Sequence, residues 1–440
     1  MFVNRTNELK TLEREYHKTS ATFTVIYGRR RVGKTALISE YIQEKNHIYL
    51  YATEGNIGQQ LRGFTKQIKK FVDPQLAKHL NFESFSDAFE FLSELKLDSK
   101  LVLVIDEYQN LCRLQQGFSS ELQRVWDLYL SATNIHLILC GSVLSMMHSE
   151  VLAYNAPLYG RRTTNIHLKS LQFQYMSSFL PSVSKEEMMN IYASFGTIPK
   201  YLNEYDATQS FRENIEHKIV NKNSYLYSEG NFLLKQELSD AGTYFAILES
   251  ISKGNTKVGS IASNLSRPST YLTPYLQKLI ELDILQKEVP ITETNPLKSK
   301  LGRYKIKDKF LNFWFYYVYK NYNYLELNQV DVVLDELDLN FNDRFVSFAF
   351  EDYILEDMLF SHEKYFSFRP HKVGRWWNNR EEIDIVAFDD ENICFVECKW
   401  QNSVNRERVK EVLIAKSALV KHRKKSFYLV VTKEDYLTQI

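Results

Sequence analysis

The sequence has little of what marks a membrane protein, a fibre or a signal-bearing secreted protein. Its longest apolar run, residues 310–319, is half as long as the roughly 20 residues that a membrane-spanning helix requires. The N-terminal residues mix both charge signs and lack the apolar stretch of a signal peptide. No internal repeat or low-complexity tract is present. We therefore expect a cytoplasmic protein with no membrane partner.

Cysteine and net charge are also scarce. The four cysteines form no CxxC pair and lie in or beside apolar runs, which favours buried reduced thiols over a zinc site or a disulfide framework. The 55 basic and 54 acidic residues leave a formal charge of +1, so any affinity for nucleic acid must come from a local patch. A chain of 440 residues with 44% hydrophobic side chains has room for about three domains.

The order of apolar runs predicts an α/β multidomain chain. Between residues 22 and 166, four β-rich runs alternate with longer helix-like segments, which is typical of a parallel sheet with crossover helices. The expected domains are a P-loop NTPase sheet domain at 1–168, a helical lid at 169–238, a winged helix-turn-helix at 239–325 and a C-terminal α/β domain at 326–440. Residues 320–343, around the start of the last domain, are expected to be an acidic linker, and strands are expected at 383–388, 393–399 and 426–431.

The winged helix-turn-helix rests on three short helical patterns followed by two β-like pieces. Its third helix is expected to open with Ser266 as N-cap and Pro268 in the first turn. Lys278 is the one obvious basic residue on that helix, so DNA binding and a protein-interaction role are equally open.

A phosphate-binding loop is predicted directly after the first strand. The pattern GxxxxGKT follows the apolar run TFTVIY and precedes an amphipathic helix, which is the context that this motif requires. The lysine of such a loop reaches the β and γ phosphates, and its threonine hydroxyl binds Mg²⁺. The residues are Gly28, Arg29, Arg30, Arg31, Val32, Gly33, Lys34 and Thr35.

Two acids follow the third apolar run, at the carboxyl edge of a predicted strand where ligands bind in open α/β sheets. Asp106 is expected to hold Mg²⁺, and Glu107 to act as the general base that activates water. Ser142, after the fourth run, either approaches the γ phosphate or caps the next helix. Arg162 and its neighbour Arg161 either contact phosphate or lie in a solvated turn.

Together these motifs resemble a known family. The segments FVNRTNEL, GRRRVGKT, VIDEYQNL, LILCGS, PLYGRRT and GTIPKYL are similar to those of predominantly archaeal and bacterial P-loop ATPases of the AAA+/STAND kind. The resemblance covers nearly the whole chain and implies a C-terminal domain of unknown function with a restriction-endonuclease-like motif. One departure is the turn at 196–199, where the family's Gly-Gly-x-Pro reads Gly-Thr-Ile-Pro.

The C-terminal domain carries the half-signature D…ExK of restriction-type nucleases, at Asp384, Glu397 and Lys399. If residues 389–392 form a four-residue hairpin turn, Asp384 lies opposite Glu397. Strand alternation then puts Glu397 and Lys399 on the same face. The alternative is a solvated polar face on an amphipathic hairpin.

Two facing carboxylates suit Mg²⁺, with Lys399 stabilising the charge that develops on phosphate. The resemblance implies a further acid on the domain's first helix, at Glu351 or alternatively Glu356. Residues 399–425 hold nine basic and two acidic residues, as a phosphate-tracking surface requires. Residues 375–377, Arg-Trp-Trp, could add stacking contacts or belong to the core.

We therefore expect an ATP- and Mg²⁺-dependent ATPase that couples nucleotide state to a winged helix and a nuclease-like domain acting on nucleic acid, DNA in preference to RNA. The alternative is a nucleotide-gated regulator or scaffold whose C-terminal domain binds DNA or protein without cleavage. The sequence leaves open the substrate, the oligomeric state and the biological trigger.

Overall fold

The computed structural model describes residues 2–238 and 241–438, and the chain divides into two compact units. The first comprises the residues up to Leu171 together with Ile198–Lys200, and the second comprises Gln172–Thr197 and the residues from Tyr201 onward. Within the described residues, no helix combines the length and the apolar character needed to cross a membrane.

The first unit contains a parallel sheet with helices on both sides. Its strands are β1 (Thr22–Tyr27), β2 (His47–Tyr51), β3 (Leu101–Asp106), β4 (Ile135–Gly141) and β5 (Thr164–His167). The strand order is β2-β3-β4-β1-β5, and every pairing is parallel. Its helices are α1 (Thr6–Tyr16), α2 (Lys34–Ile42), α3 (Ile57–Ile68), α4 (Pro74–His79), α5 (Phe85–Glu94), α6 (Gln109–Leu114), α7 (Phe118–Leu128) and α8 (Leu144–Met147).

The central strands β1, β3 and β4 are buried along almost their whole length, and this is why they read as continuous apolar runs. Alternate residues of β3 enter two different cores: Leu103 and Ile105 pack in one cluster, and Val102 and Val104 in the other. The four predicted strands are confirmed. The fifth strand, β5, was not predicted because only Ile166 among its four residues is buried, so the strand forms no apolar run.

The helices from residue 172 onward are α9 (Met176–Phe179), α10 (Lys185–Ser194), α11 (Pro199–Leu202), α12 (Phe211–Asn214), α13 (Tyr225–Glu237), α14 (Ala241–Ser252), α15 (Val258–Asn264), α16 (Ser269–Glu281), α17 (Lys309–Phe313), α18 (Tyr322–Glu326), α19 (Val330–Phe341), α20 (Ser347–Phe360), α21 (Arg406–Ser417) and α22 (Lys433–Thr438). The strands of the second unit are β6 (Leu285–Glu288), β7 (Arg303–Ile306), β8 (Lys372–Trp377), β9 (Glu382–Phe388), β10 (Asn392–Lys399) and β11 (Lys425–Thr432). Strands β6 and β7 pair antiparallel. The other four form a sheet of order β11-β10-β9-β8, antiparallel except for the pair β10 and β11.

Two expectations for this unit were wrong. The acidic stretch 320–343 is helical rather than a linker, since α18 and α19 lie within it. Helix α16 begins at Ser269 with Pro268 preceding it, and Ser266 has a left-handed backbone (φ 51°) instead of capping the helix. Of the two alternatives for residues 375–377, the structure favours the core: they belong to strand β8, and Trp376 and Trp377 are buried.

Candidate functional site

The predicted phosphate loop connects β1 to α2, and two glycines give it its shape. Gly33 has a left-handed backbone (φ 97°) immediately before α2 begins at Lys34. Gly28 has φ 154°, and a Cβ atom built on it would lie 2.2 Å from the carbonyl oxygen of Leu168. The first position therefore admits only glycine, and the loop ends at the free N–H groups of a helix N-terminus, where anions bind.

Lys34 and Thr35 begin the helix with their side chains turned toward the loop and the neighbouring strand. The ammonium of Lys34 donates to the carbonyl oxygens of Gly28 and Arg29, both at 2.9 Å. It is buried, and burial lowers its pKa. The hydroxyl of Thr35 donates to a carboxylate oxygen of Asp106 at 2.9 Å. A glycine cradle, a buried lysine and a hydroxyl beside a carboxylate fit a nucleoside triphosphate with Mg²⁺.

Asp106 ends β3 and is completely buried. One of its oxygens accepts from the Tyr49 hydroxyl at 2.6 Å as well as from Thr35, and the other accepts from the N–H of Glu107 at 2.9 Å. Burial, followed by the charge of Asp106, raises the pKa of Tyr49 and keeps the phenol protonated as a donor. Tyr49 was not predicted. The available signal was its position on β2, the strand that pairs with β3 and therefore lies near Asp106.

Glu107 has a left-handed backbone (φ 54°), which turns the chain directly after the strand. Its Oε2 accepts from the hydroxyl of Ser142 at 2.7 Å and from the side-chain amide of Gln109. Gln109 Oε1 is buried with no hydrogen-bond partner. Ser142 therefore contacts the candidate base, and it does not cap the next helix, which begins at Leu144 after Val143.

The two candidate arginines of the first unit, and one that was not predicted, have defined contacts. Arg161 forms an ion pair with Asp127 at 2.9 Å. Arg162 donates to the carbonyl oxygens of Val151 and Leu152, both at 3.3 Å, so its predicted contact with phosphate stays a prediction. Arg5 was not predicted at all: it is buried and donates to the carbonyl oxygen of Val32 in the loop at 2.9 Å and to that of Lys169 at 2.7 Å.

In the second unit, the predicted hairpin register is confirmed. Ile393 pairs with Phe388, and the antiparallel ladder runs to Val396 opposite Ile385. The next positions along this ladder are Glu397 and Asp384. Asp384 Oδ2 accepts from the N–H of Cys398 at 2.8 Å, so this carboxylate lies against strand β10 at the residue that follows Glu397.

Two lysines contact the same oxygen of Glu397. Lys399 lies 2.9 Å and Lys416 3.3 Å from Oε1, whereas the buried Oε2 has no hydrogen-bond partner. Lys416, on α21, was not predicted because it is 19 positions away in sequence from Glu397. A buried carboxylate oxygen without a donor, beside a second carboxylate, suits a bound cation.

Glu351, on α20, forms an ion pair with an arginine. Arg375 lies 3.5 Å from Glu351, and 2.7 Å from its neighbour Asp352. Burial, and then the charge of Asp384, raises the pKa of Glu351; burial, and then Glu397, raises that of Asp384. Among the residues that the structure describes, no group of three or more His, Cys, Asp or Glu side chains is assembled around a possible metal position. The predicted three-acid ligand set is thus not preformed.

Comparisons with known proteins bear on both units. Residues 2–205 match an ATPase domain found predominantly in Archaea, and residues 314–412 match a domain described as archaeal and bacterial proteins of unknown function. An uncharacterized protein of Methanocaldococcus jannaschii is 37% identical over 429 residues, which cover 96% of this chain and 92% of the relative. An uncharacterized ATP-binding protein of the same organism is 51% identical over 45 residues, 10% of this chain and 76% of that protein. Among solved structures, the Walker-type ATPase of Pyrococcus abyssi has a TM-score of 0.52 at 21% identity, covering 71% of this chain and 96% of that one.

Proposed function

Because the chain belongs to the family of predominantly archaeal ATPases, we propose that it binds and hydrolyses ATP at the loop 28–35. We further propose that nucleotide state controls a winged helix (α14–α16 with β6 and β7) and a Mg²⁺-dependent nuclease-like site in the C-terminal domain. The domain boundaries 1–168, 169–238, 239–325 and 326–440 belong to this proposal, as does a preference for DNA. Self-association through Arg162 is compatible with it.

The hydrogen bond between Thr35 and Asp106 is the observation that carries the ATPase proposal. It joins the hydroxyl of the phosphate loop to the carboxylate at the end of the next strand but one, as a site for nucleotide-bound Mg²⁺ requires. When bound, the ion would neutralise charge on the β and γ phosphates. Lys34 exchanges its two carbonyl partners for phosphate oxygens, and Glu107 accepts a proton from the attacking water.

Lys34→Ala tests nucleotide binding. Loss of a charged donor to phosphate should weaken ATP affinity roughly 10- to 100-fold, measured by calorimetry on the full chain. Lys100→Ala is the matched control, because Lys100 is also buried in the first unit but donates to the carbonyl oxygens of Glu15, Lys18 and Ser20. Equal affinities of the Lys34 variant and the wild type would contradict the assignment.

The nuclease proposal is supported by the pairing of Asp384 with Glu397 and by the two lysines on Glu397. Bound Mg²⁺ would supply an activated water. Asp384 and the free Oε2 of Glu397 would hold the ion, and Lys399 and Lys416 would then be released to face a phosphodiester. We expect Glu397→Gln to abolish Mg²⁺-dependent cleavage of DNA, whereas Glu411→Gln, at an exposed position of α21, should not.

The alternative proposal is a regulator that grips nucleic acid or protein without cutting. It is favoured by one observation, namely that the acids are not gathered into a ready metal site within the described residues. Binding of DNA fragments by the wild type, with no cleavage under any nucleotide or metal condition, would support this alternative over the nuclease.

A further inference from the structure

The strand pair β6–β7 and its connecting loop lie against the edge of the four-stranded sheet. We call residues 288–305 the cover segment; like the sheet, it belongs to the second unit. Its backbone extends the sheet edge, since Ile291 N–H donates to the carbonyl oxygen of Arg375 on β8 at 2.8 Å. In return, the Trp377 indole donates to the carbonyl oxygen of Leu301 at 2.9 Å.

Charged side chains strengthen this contact. Arg303 forms an ion pair with Glu382 at 2.8 Å, and its guanidinium lies 4.6 Å from the centre of a Trp377 ring. Lys305 binds both oxygens of Asp352 at 2.6 and 2.7 Å. Because Arg375 also contacts Asp352, the cover segment and the acid-bearing helix α20 share one buried cluster of charges.

A cavity of about 370 Å³ lies between the cover segment and the acids. Tyr304 and Ile306 line it from β7, and Glu351 and Asp384 line it from the C-terminal domain. A compact cavity of this volume is roughly 9 Å across, whereas a B-DNA major groove alone is about 12 Å wide. The cavity therefore has room for a small molecule and not for a double helix.

The acids are largely buried, since the side chains of Glu351 and Glu397 are 16% and 8% exposed. Residues of the cover segment, among them Arg303 and Tyr304, line the same cavity as Asp384. We infer that the cover segment is an autoinhibitory cover, so that nucleic acid reaches Asp384 only after residues 288–305 leave the edge strand β8. This inference rests on the proposed nuclease site for its consequence, but the movement itself can be tested without cleavage.

Among the charged contacts of the cover segment, the pair at its outer edge is the weak one. The Arg303–Glu382 pair is partly exposed, with side-chain exposures of 29% and 58%, and pairs of this kind contribute little to stability. On its other side the cover segment is tied to the preceding helices, because Tyr304 N–H donates to the carbonyl oxygen of Thr256 at 2.7 Å. A movement of the helices α14–α16 would thus carry the cover segment with it.

A disulfide provides a lock for the test. A Cβ atom on Gly374 would lie 3.5 Å from the Cβ atom of Ile291, within the spacing of about 3.5–4.5 Å that a disulfide needs. The double variant Ile291→Cys/Gly374→Cys should therefore close on oxidation and open on reduction. The oxidised and reduced forms of this one protein are matched controls for each other. Wild type treated identically controls for the four native cysteines, and circular dichroism checks folding.

Two measurements are made on each form: binding of a short duplex DNA by calorimetry without divalent metal, and Mg²⁺-dependent cleavage of duplex and single-stranded DNA. We expect oxidation to suppress both and reduction to restore both. As an independent variant, Arg303→Ala/Glu382→Ala should raise DNA affinity and cleavage up to roughly fivefold, the size expected for one partly exposed ion pair.

The outcomes separate the two proposals. DNA binding that responds to the lock, without cleavage in any form, supports the cover and overturns the nuclease. Cleavage that is equal in the oxidised and reduced forms supports the nuclease and overturns the cover. Absence of both DNA binding and cleavage in every variant overturns both.

Discussion

The substitution Glu107→Gln should stop ATP hydrolysis while leaving ATP binding nearly unchanged. The amide retains the shape of the carboxylate, and its oxygen can still accept from the Ser142 hydroxyl, 2.7 Å from Glu107 in the wild type. In the wild type the side-chain amide of Gln109 donates to the same oxygen, so an amide oxygen in that place keeps both contacts and the new NH₂ group takes the place of Oε1. The variant should therefore fold normally and keep the geometry of the site.

Removal of the general base should slow hydrolysis by about 10²- to 10⁴-fold, equivalent to about 3–5 kcal/mol in the activation free energy. Phosphate release measures the rate, and calorimetry with ATP measures the affinity, which should stay close to that of the wild type. Ser142→Ala removes one hydrogen bond to the same oxygen and should lower the rate only about tenfold. Wild-type turnover in Glu107→Gln would refute the assignment, and a parallel loss of ATP affinity would show that Glu107 acts in binding.

Two further predictions concern the first unit. Gly28→Ala should weaken ATP binding about tenfold, because the added Cβ atom would lie 2.2 Å from the carbonyl oxygen of Leu168 and backbone strain of this kind costs about 1–3 kcal/mol. The control is Gly63→Ala, whose added Cβ atom meets no atom within 4 Å and which should bind ATP like the wild type. Burial lowers the pKa of His136 to about 3. Below about pH 6.5, therefore, this histidine is protonated in the unfolded chain and stays neutral in the folded chain. The free energy of unfolding should accordingly fall with decreasing pH, by up to about 1.4 kcal/mol per pH unit. Denaturant titrations between pH 4 and 7 should show this slope diminished in His136→Gln, and equal slopes in the two proteins would contradict it.

The features that could be predicted from the sequence are those that a short, contiguous stretch of residues determines. The phosphate loop lies in one contiguous segment, and the hairpin register follows from turn length alone, so Asp384 was placed beside Glu397 without coordinates. The contacts of Arg5, Tyr49 and Lys416 join elements far apart in the chain, and no local pattern encodes them.

The missed helix α19 is a different case, because its signal was present. Val333, Leu334, Leu337 and Phe341 are buried at the spacing of one helical face. Acidic residues between them occupy the remaining positions and lowered the apparent hydrophobicity of the segment. Strand β8 was not predicted for another reason, because Gly374 and Arg375 interrupt its apolar residues. Gly374 packs against Ile291, and Arg375 contacts Asp352 in the charged cluster.

Arg5 connects the phosphate loop by hydrogen bonds to the last residues of the main segment of the first unit. One nitrogen of its guanidinium holds Val32, 27 positions away in sequence, and also Lys169, 164 positions away. The preceding residue, Leu168, donates its N–H to the carbonyl oxygen of Tyr27 at 2.8 Å and touches Gly28 with its own carbonyl. The start of the loop thus contacts Leu168 directly, and Arg5 links Val32 to Lys169, just before the chain leaves the unit at Leu171. Because the guanidinium is planar and donates to both carbonyl oxygens, Val32 and Lys169 cannot move apart unless Arg5 gives up one of these hydrogen bonds.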